Sequence, residues 1–386
     1  MAEGVRRIAV VIPKYGLVGG AEGFAAELTE RLACDPRFEM HVFANRWVRY
    51  SDRVSFHRVP IVSFPKFLTT PSFACFADRQ IRKAGIDLIH THERIFRADL
   101  FTMHGVPHRY WVREVRRKGM SLYDRATARV EGRLIADPNC RLFLPVSGLT
   151  EEIFIREYDT APERVRVVHP GVDPGRYEGL DRSRCREELA GRFGITHGER
   201  IVLFVSMNFE VKGLDALLGG LAALARNSSA PPFRLLVTGK GDIRKYRALA
   251  ASLGIGERVT FAGVIPGAEL PSIYAAADLY AMLSRFDTFG MVVLEAMAAA
   301  LPVLVSDRVG AKDLVREGVN GSILRSDARP EEIAGRLGSL LSPGIRGRMG
   351  QAARETARAH TWDAVAARVA AIYEELLRRS PGKETP

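Results

Sequence analysis

The chain has 386 residues, 47% of them hydrophobic, and a formal net charge of +11. This length predicts two domains, because one hydrophobic core rarely serves so many residues, and the composition excludes a collagen-like or low-complexity chain. The four cysteines, Cys34, Cys75, Cys140 and Cys185, lie far apart without a C-x-x-C pair. Their spacing excludes a disulfide framework and a common zinc site, and indicates free thiols in a reducing cytoplasm.

The N-terminal sequence MAEGVRRIAVVIPKYG has the positive charge of a signal peptide but lacks its apolar core. Only five apolar residues stand between Arg7 and Pro13, which is too few for such a core. No segment approaches the ~20 apolar residues of a membrane-spanning helix. We therefore expect a cytoplasmic protein that would act on a membrane only as a peripheral protein at its inner face.

The first half of the chain alternates short apolar strands with helical segments. RRIAVVIP reads as a buried strand, PKYGLVGG as a glycine-rich loop and AEGFAAELTERLA as a helix. Further strands are predicted at EMHVFAN, VSFHRVP, DLIHTH, DLFTMHG, RLFLPVS and RVRVVHPG. Strands that are apolar throughout and alternate with helices predict a parallel sheet covered on both faces.

The same alternation restarts after GVDPGRYEGLDR, a turn-rich segment that we interpret as a linker. Strands are predicted at ERIVLFVSM, FRLLVTG, RVTFAGV, DLYAMLS and LPVLVS, with helices between them and to the end. The fold class is therefore α/β, with Rossmann-like doubly wound domains at 1–171 and 183–360 facing a cleft. Ligands of such sheets bind at the carboxyl ends of the strands.

The segment DLYAMLSRFDTFGMVVLEAMAAA predicts a strand, a loop and a helix that begins near Gly290. The N–H groups of Phe289, Gly290 and Met291 fall at the first turn, where unpaired donors and the helix dipole favour an anion such as phosphate. Gly290 permits a close approach of the ligand to the backbone. The helix start is therefore a candidate phosphate site.

Two carboxylates bracket this helix start. Asp287 lies in the loop and Glu295 lies one turn inside the helix, so that both can face one pocket. Carboxylates so placed suit hydroxyl groups, one from a sugar ring and one from a ribose. The alternative is that Asp287 only caps the helix and Glu295 is an ordinary helical residue.

The segment D-T-F-G-M-V-V-L-E-A-M-A-A-A-L-P-V resembles the E-x-F-G-x-x-x-L-E-A-M-A-x-G-x-P-V signature of family-4 retaining glycosyltransferases, which have the GT-B fold. Glu295 matches the second acid, Asp287 replaces the first with a shorter one, and Ala300 replaces a glycine. The resemblance implies that Asp287 contacts the donor sugar and Glu295 the ribose of the nucleotide. The implied donor-binding residues of this loop are Thr288, Phe289, Gly290 and Met291.

Other segments resemble the family in the same order along the chain. G-G-A-E, with Gly19 and Gly20, resembles the N-terminal glycine loop, and the resemblance implies that its N–H groups approach the donor diphosphate or the acceptor. Without the resemblance, this glycine pair is a weak signal. F-T-M-H-G resembles the strand end that carries a donor-contacting histidine, here His104, although a lone histidine is usually structural. The resemblance further implies that Gly239 of V-T-G-K-G-D flanks the nucleotide, and that the backbone at Ile265 of V-I-P reads the base.

One motif departs from the family. The usual G-R-x-x-x-x-K-G supplies an arginine and a lysine to the donor diphosphate, whereas this chain has S-M-N-F-E-V-K-G. Lys212 is in place and Asn208 lies on the donor side, but Met207 stands where the arginine is expected. Arginine binds phosphate through a bidentate fork that lysine lacks, so we expect the diphosphate to depend more on the helix N-terminus.

The resemblance implies transfer of a hexose from a nucleotide-diphosphate sugar to an acceptor hydroxyl, with retention of the anomeric configuration. Lys212 and the N–H groups near Gly290 would stabilise the charge on the leaving phosphate. We expect a UDP-sugar as the donor substrate and no cofactor. Because the chain has no D-x-D motif, we also expect no metal ion.

The segment from Arg94 to Arg141 contains eleven Arg and Lys against five Asp and Glu. HERIFRADLFTMHGVPHRYW within it resembles the corresponding region of lipopolysaccharide core glucosyltransferases, which add glucose to a heptose. The implied partners are a phosphorylated glycolipid acceptor and an anionic membrane surface, met by an amphipathic surface helix. The candidate residues are Arg109, Arg113, Arg116, Arg117 and Lys118. Alternatively, the arginines are merely solvated.

Three other functions stay open. A sugar-nucleotide epimerase shares the two-domain architecture, and a glycosyltransferase could serve another cell-surface glycan. A non-catalytic sugar- or nucleic-acid-binding protein would suit the charge, but no motif that reads RNA or DNA is present, and we expect no nucleic-acid partner.

The C-terminal segment HTWDAVAARVAAIYEELL has apolar residues at helical spacing after a capping threonine. In isolation it reads as a terminal helix of the second domain. The family resemblance instead implies that the chain from 361 to 386 crosses back to the first domain.

Overall fold

A computed structural model describes residues 5–17, 19–196 and 198–378 of the chain. The chain folds into two compact units. One unit extends to Gly171 and also takes the chain from Trp362 onward, and the other comprises Val172–Thr361. The segment 172–182, interpreted from its turn-rich sequence as a linker, lies in the second unit.

The first unit is built on a parallel sheet of six strands. Its order is β5–β3–β1–β6–β7–β8, and β2 pairs separately with β4. The strands of the described residues are β1 (Arg6–Val11), β2 (Lys14–Tyr15), β3 (Phe38–Ala44), β4 (Arg46–Trp47), β5 (Val54–Arg58), β6 (Leu88–Thr91), β7 (Leu100–Met103) and β8 (Leu142–Pro145). The central strand β1 is buried from Ile8 to Val11, as a strand covered on both faces must be.

Helices cover both faces of this sheet. They are α1 (Gly20–Leu32), α2 (Thr69–Ile81), α3 (His108–Tyr110), α4 (Leu122–Ile135) and α5 (Gly148–Tyr158), and a π-helical turn (Trp111–Val115) follows α3. Helices α4 and α5 begin at capping boxes, in which Ser121 and Ser147 exchange hydrogen bonds with the third helical residue.

The second unit repeats the architecture. Its strands are β9 (Arg200–Ser206), β10 (Phe233–Gly239), β11 (Val259–Gly263), β12 (Leu279–Met282), β13 (Val303–Ser306) and β14 (Gly321–Leu324), in the order β11–β10–β9–β12–β13–β14. All pairs are parallel. Its helices are α6 (Arg182–Phe193), α7 (Leu214–Ala225), α8 (Ile243–Ser252), α9 (Leu270–Ala276), α10 (Met291–Ala298), α11 (Pro330–Leu340) and α12 (Ile345–Arg358).

Both sheets have the strand order 3-2-1-4-5-6 of a Rossmann fold, in which the order reverses beside the first strand. The reversal lies between β1 and β6 in the first unit and between β9 and β12 in the second. The prediction of two doubly wound α/β domains is confirmed. In each sheet, the loops at the carboxyl ends of these strand pairs are the expected positions for a ligand.

Two local predictions were wrong. RVRVVHPG forms only an isolated bridge between Val165 and Phe143, because β8 ends at Pro145, whose nitrogen cannot donate a hydrogen bond and so cannot continue the ladder. Strand β14 was not predicted, since GSIL is short and begins with glycine. The packing explains that glycine: a Cβ at Gly321 would lie 2.5 Å from the carbonyl oxygen of Val303 on β13.

The C-terminal helix α13 (Trp362–Arg378) belongs to the first unit. The ring of Trp362 packs edge-on against Phe24 of α1, with centroids 5.3 Å apart. Arg31 of α1 donates to Asp363 at 2.7 Å, and Arg166 donates to Glu375 at 2.6 Å. Its buried face consists of Trp362, Val365, Ala366, Val369, Ala370, Ile372, Tyr373 and Leu376. Within the described ranges, no helix has the length and apolar character needed to cross a bilayer.

Candidate functional site

The loop after β9 has a shape that only glycine permits at its end. Gly213 caps α7 with φ +74°, and a Cβ there would lie 1.9 Å from the carbonyl oxygen of Leu283. The side chain of Asn208 accepts a hydrogen bond from the N–H of Val211 at 3.2 Å. This turn fixes the backbone of Lys212 at the carboxyl end of β9.

Lys212 forms an ion pair with Asp287. Its Nζ donates to Oδ2 of the carboxylate, and the two side chains are only 23% and 13% exposed. The other oxygen of Asp287 accepts from the N–H of Phe289 at 3.2 Å, and its backbone N–H donates to the carbonyl of Arg308 at 2.9 Å. The sequence placed both charged residues at the site but gave no indication that they pair.

The start of α10 lies directly against this pair. Gly290 has φ +88°, and a Cβ there would come within 2.8 Å of Cε of Met282 and 3.2 Å of Oδ2 of Asp287. Phe289 is buried, and its carbonyl accepts from the N–H of Ala311 at 2.7 Å. The first turn of α10 therefore directs its N–H groups and its dipole toward the region of Asp287 and Lys212.

Glu295 is held by a tyrosine that the sequence did not single out. Oη of the fully buried Tyr274 on α9 donates to Oε2 of Glu295 at 3.0 Å. Burial raises the pKa of Glu295, whereas the hydrogen bond from Tyr274 and the charge of Arg176 oppose that rise. The ring of Tyr177 lies 6.1 Å from that of Tyr274. Nothing in the sequence marks Tyr274, because it is one of several apolar positions on a short helix.

The loop after β10 approaches the same edge of the sheet. Gly239 has φ +115°, and a Cβ there would lie 1.7 Å from the carbonyl oxygen of Ser206, the last residue of β9. The N–H of Lys240 donates to the same carbonyl at 2.9 Å. Ile265, beyond β11, is buried, while its neighbour Val264 is 62% exposed. The backbone at Gly239 is thus fixed beside the loop that carries Lys212.

The predicted histidine site of the first unit is a cluster of three imidazoles. Nδ1 of His92 lies 2.9 Å from Nε2 of His104, and the two rings stack with centroids 5.2 Å apart. His90 hydrogen-bonds Oη of Tyr373 on α13 at 2.6 Å and Oγ1 of Thr102 at 2.7 Å. His90 lies in β6 and His92 directly follows that strand. Side chains two residues apart share one face of an extended segment, and this spacing is the sequence signal that could have linked them to His104.

These histidines are neutral around pH 7. Burial lowers the pKa of His90 and of His104 to about 3, and it lowers that of His92 well below its usual value. Nε2 of His92 is buried without a partner, and since an orphaned N–H is rare in folded proteins, this favours a proton on Nδ1. His92 then donates to His104, which leaves an N–H donor at Nδ1 of His104.

We expect this cluster to make the first unit sensitive to acid. The unfolded chain binds protons on these histidines near pH 6.5, whereas the folded state resists them down to about pH 3. The stabilisation is therefore complete above pH 6.5 and is lost as the pH falls toward 3. At pH 5, the preference of His90 and of His104 for the neutral form should each lower the free energy of unfolding by roughly 2 kcal/mol, relative to pH 7.5. Urea unfolding at pH 7.5 and pH 5 measures this loss, and equal stability at both would contradict it.

The glycine pair of the first unit lies beside a carboxylate. Gly19 precedes α1 and Gly20 is its first residue, and both are exposed. The carboxylate of Glu22 lies in the first turn, where a Cβ at Gly19 would be 2.1 Å from its Oε2. Because this carboxylate already occupies the positive end of the helix, the turn suits a neutral hydroxyl better than a second anion.

The basic segment is not one continuous amphipathic helix. Helix α3 and its π-helical turn end before residues 116–121, which form no helix, and α4 follows with its apolar face packed against α2. Part of the positive charge is neutralised internally: Arg113 pairs with Glu157 at 3.2 Å and Arg116 with Asp124 at 3.4 Å. The other three candidates, Arg109, Arg117 and Lys118, are exposed, and so are Arg97, Arg125, Arg129 and Arg133 of the same segment.

Two family models match the chain. The model of "Glycosyltransferase Family 4" matches residues 18–176, and that of "Glycosyl transferases group 1" matches residues 186–356. An uncharacterised glycosyltransferase of Methanocaldococcus jannaschii is 27% identical over 337 residues, which is 83% of this chain and 84% of that protein. D-inositol 3-phosphate glycosyltransferase of Nocardia farcinica is 36% identical over 226 residues, 56% of this chain but only 49% of the relative.

Solved structures have the same fold. WaaG, a glycosyltransferase involved in lipopolysaccharide biosynthesis, superposes with a TM-score of 0.77 at 22% identity, over 95% of this chain and 99% of that one. HepE of Anabaena, crystallised with UDP and glucose, superposes with a TM-score of 0.70 at 18% identity, over 96% and 100%.

Proposed function

The chain belongs to glycosyltransferase family 4 and has the GT-B fold, and we propose that it transfers a hexose from a UDP-sugar to a glycan acceptor with retention of the anomeric configuration. The observation that carries this proposal is the Lys212–Asp287 pair against the start of α10. This is an arrangement of one cation, one carboxylate and a helix N-terminus. A sugar diphosphate needs all three, because it joins two phosphates to a ring of hydroxyl groups.

Lys212 and the first turn of α10 would bind the diphosphate. Lys212 has three N–H donors and gives one to Asp287, so that two remain for phosphate oxygens. Because Met207 replaces an arginine, the N–H groups at the start of α10 supply the remaining positive potential. Both lie at the carboxyl edge of the second sheet, where Rossmann folds bind nucleotides.

The two carboxylates would recognise hydroxyl groups. Asp287 has one oxygen on Lys212 and the other on the N–H of Phe289, and a hydroxyl of the hexose would share one of these oxygens, because a carboxylate oxygen accepts more than one hydrogen bond. Glu295 receives a hydrogen bond from Tyr274 on one oxygen, which leaves the other oxygen for a ribose hydroxyl. Neither group needs to change its protonation state for this work.

Charge develops in the reaction on the leaving phosphate and on the sugar ring. As the bond from the anomeric carbon to the phosphate oxygen breaks, Lys212 and the helix N-terminus stabilise the released diphosphate from positions that are already fixed. A phosphate oxygen on the same face takes the proton of the acceptor hydroxyl, whose oxygen bonds to the anomeric carbon. The products are the glycoside and UDP. His104, neutral, would contribute a hydrogen bond to the sugar.

The proposed hexose is glucose and the proposed acceptor is the heptose-containing core of lipopolysaccharide. The fold shared with WaaG and with HepE, which was crystallised with UDP and glucose, supports this proposal. Exposed Arg109, Arg117 and Lys118 would meet phosphates of the acceptor or anionic lipids at the inner face of the cytoplasmic membrane.

A second candidate acceptor is a phosphorylated polyol. The relatives that act on D-inositol 3-phosphate share 36% and 33% identity with this chain, although only about half of each relative is matched. An epimerase would release no new glycoside, so product analysis separates it from both transferase proposals.

The test is a coupled assay of UDP release with UDP-glucose as the donor. Heptose-containing lipid acceptors and D-inositol 3-phosphate form the acceptor panel, and NMR of the product reads the anomeric configuration. The proposal requires UDP release that depends on an acceptor and an α-linked product. Epimerised sugar nucleotide without acceptor transfer would contradict it.

We expect activity to survive removal of divalent cations. Lys212 and the start of α10 supply the positive charge that a metal ion provides in metal-dependent enzymes, and the chain has no D-x-D motif. The measurement is the initial rate before and after dialysis against EDTA, with Mg²⁺ added back as the control. A rate that falls to background and returns with Mg²⁺ would contradict the metal-independent mechanism.

A further inference from the structure

The second unit has a cavity that the proposed reaction does not use. It has a volume of about 230 Å³ and lies between the ends of α9 and α10, the start of α12 and the segment before α6. Three arginines line it, Arg182, Arg346 and Arg354, together with Gln351 and Tyr177. Because Ala299 and Ala300 also line it, the cavity is at the C-terminal end of α10, opposite the end beside Lys212.

Arg182 shares its acidic partner with two other arginines. Asp278, almost fully buried, accepts from Arg182 at 2.7 Å and from Arg186 at 2.8 Å, and it lies 3.6 Å from Arg200. Three positive charges therefore share one negative charge. Burial, the largest effect, lowers the pKa of Arg182 even though Asp278 opposes that shift.

The other two arginines of the cavity have no acidic partner among the described residues. Arg346 donates to the carbonyl oxygens of Ala277 at 2.9 Å and Ala275 at 3.3 Å, at the C-terminal end of α9. This is a favourable place for a cation, but burial and neighbouring Arg182 still lower its pKa to about 10. Arg354 forms no ion pair within residues 5–17, 19–196 and 198–378.

Two guanidinium nitrogens of this cavity are buried without a hydrogen-bond partner. They are Nε of Arg182 and Nε of Arg354. A buried polar group that lacks a partner is costly, and a buried charge more so. The hydrogen bonds to carbonyl oxygens satisfy donors of Arg346. Within the described chain, no hydrogen-bond acceptor satisfies the Nε–H of Arg182 or of Arg354. Both Nε atoms are out of reach of solvent, so an anion in the cavity would contact the terminal nitrogens of these guanidinium groups, whose positive charge it would balance.

We propose that this cavity binds a small phosphoryl anion, either inorganic phosphate or a phosphomonoester. Guanidinium groups match phosphate through paired N–H donors, and three of them line this cavity, of which Arg354 forms no ion pair within the described residues. The volume is below the roughly 300–1,000 Å³ of sites for larger ligands, which favours a small anion over a nucleotide. The site does not depend on the proposed transfer reaction.

The test is calorimetric titration of sodium phosphate into the full chain at constant ionic strength, with chloride as the balancing anion. Lys212→Met, which removes the cation of the donor site, is the background, because it weakens phosphate binding at that site. Arg354→Gln removes a guanidinium of the cavity. Arg348→Gln is the matched control, because Arg348 is an exposed residue of the same helix that does not line the cavity.

We expect saturable binding that Arg354→Gln weakens about ten- to hundredfold, the range for one hydrogen bond to a charged group, and that Arg348→Gln leaves unchanged. Equal affinities in the two variants, or no saturable binding over chloride, would overturn the proposal. Without phosphate, urea unfolding should show Arg354→Gln to be at least as stable as the parent, because the variant removes an uncompensated charge. Such a stability would show that Arg354→Gln binds phosphate weakly because the guanidinium group is absent, and not because the variant fails to fold.

Two further arms identify the source of the phosphoryl group. Glucose 6-phosphate should compete with inorganic phosphate in the cavity, and Arg354→Gln should abolish the competition. Vesicles of phosphatidylcholine containing phosphatidic acid present a phosphomonoester on a surface. Binding to vesicles that depends on Arg354, without any binding of the free phosphates, would overturn the proposal of a free anion.

Discussion

Replacing Lys212 with methionine should lower kcat/KM for transfer by about 10²–10³, the effect of removing one group that stabilises charge in a transition state. The variant keeps the apolar stem of the side chain but removes the cation beside Asp287 and the start of α10. Because the charge on the diphosphate grows as the sugar leaves, we expect a larger fall in kcat than rise in KM. Steady-state kinetics with UDP-glucose measure both.

Two comparisons separate this effect from damage to the fold. Lys245→Met is the matched control, since Lys245 is exposed on α8 and its ammonium group lies over the ring of Tyr246, 5.4 Å away. In Lys212→Met the carboxylate of Asp287 lacks its ion-pair partner, so we expect this variant to be less stable than the wild type. The double variant Lys212→Met/Asp287→Asn removes the unpaired charge, and it should recover stability without recovering activity. Wild-type kinetics in Lys212→Met would remove this lysine from the donor site.

Truncation of the chain after Thr361 should have the largest effect on stability. It removes α13, whose buried face includes Trp362, Ile372, Tyr373 and Leu376. Each large apolar side chain contributes about 1.5–3 kcal/mol when buried, and His90 loses its hydrogen bond to Tyr373. For these four side chains the sum is about 6–12 kcal/mol, which is comparable to the whole stability of an ordinary domain, so we expect loss of the cooperative unfolding transition of the first unit.

Milder variants of α13 make this prediction quantitative. Trp362→Ala should cost roughly 3–5 kcal/mol of unfolding free energy, whereas Tyr373→Phe removes only the hydrogen bond to His90 and should cost about 1 kcal/mol. We also expect Trp362→Ala to raise hydrolysis of the donor relative to transfer, because water competes as acceptor when a site closes poorly. A truncated chain with full transferase activity and unchanged small-angle scattering would contradict the role given to α13.

The order of strands and helices in both sheets could be predicted from the sequence, because each central strand is a short apolar run between polar turns. Predictions failed at the sheet edges. RVRVVHPG has the composition of a strand, but Pro145 ends the ladder on which it would pair. GSIL lacks a strand signal, yet it pairs with β13 because Gly321 allows the two backbones to approach. Edge pairing depends on the neighbouring strand, which local sequence does not describe.

The positions of the site residues followed from motifs, but their partners did not. Lys212 and Asp287 are 75 residues apart in sequence, and no local pattern indicates that their side chains meet. Tyr274 and Glu295 form a hydrogen bond between two helices, which depends on how α9 and α10 pack. The contact between His92 and His104 likewise depends on packing, because these residues lie at the ends of the adjacent strands β6 and β7.

The central claim is that the carboxyl edge of the second sheet binds a UDP-sugar through Lys212 and Glu295. Calorimetric titration of UDP-glucose into the wild-type chain, into Glu295→Gln and into Glu257→Gln tests it most directly; Glu257 is the control because it precedes β11, at the amino edge of the second sheet. The account predicts one saturable site, weakened about ten- to hundredfold in Glu295→Gln and unchanged in Glu257→Gln. No binding of any nucleotide sugar to the wild type, or equal affinities in the two variants, would contradict it.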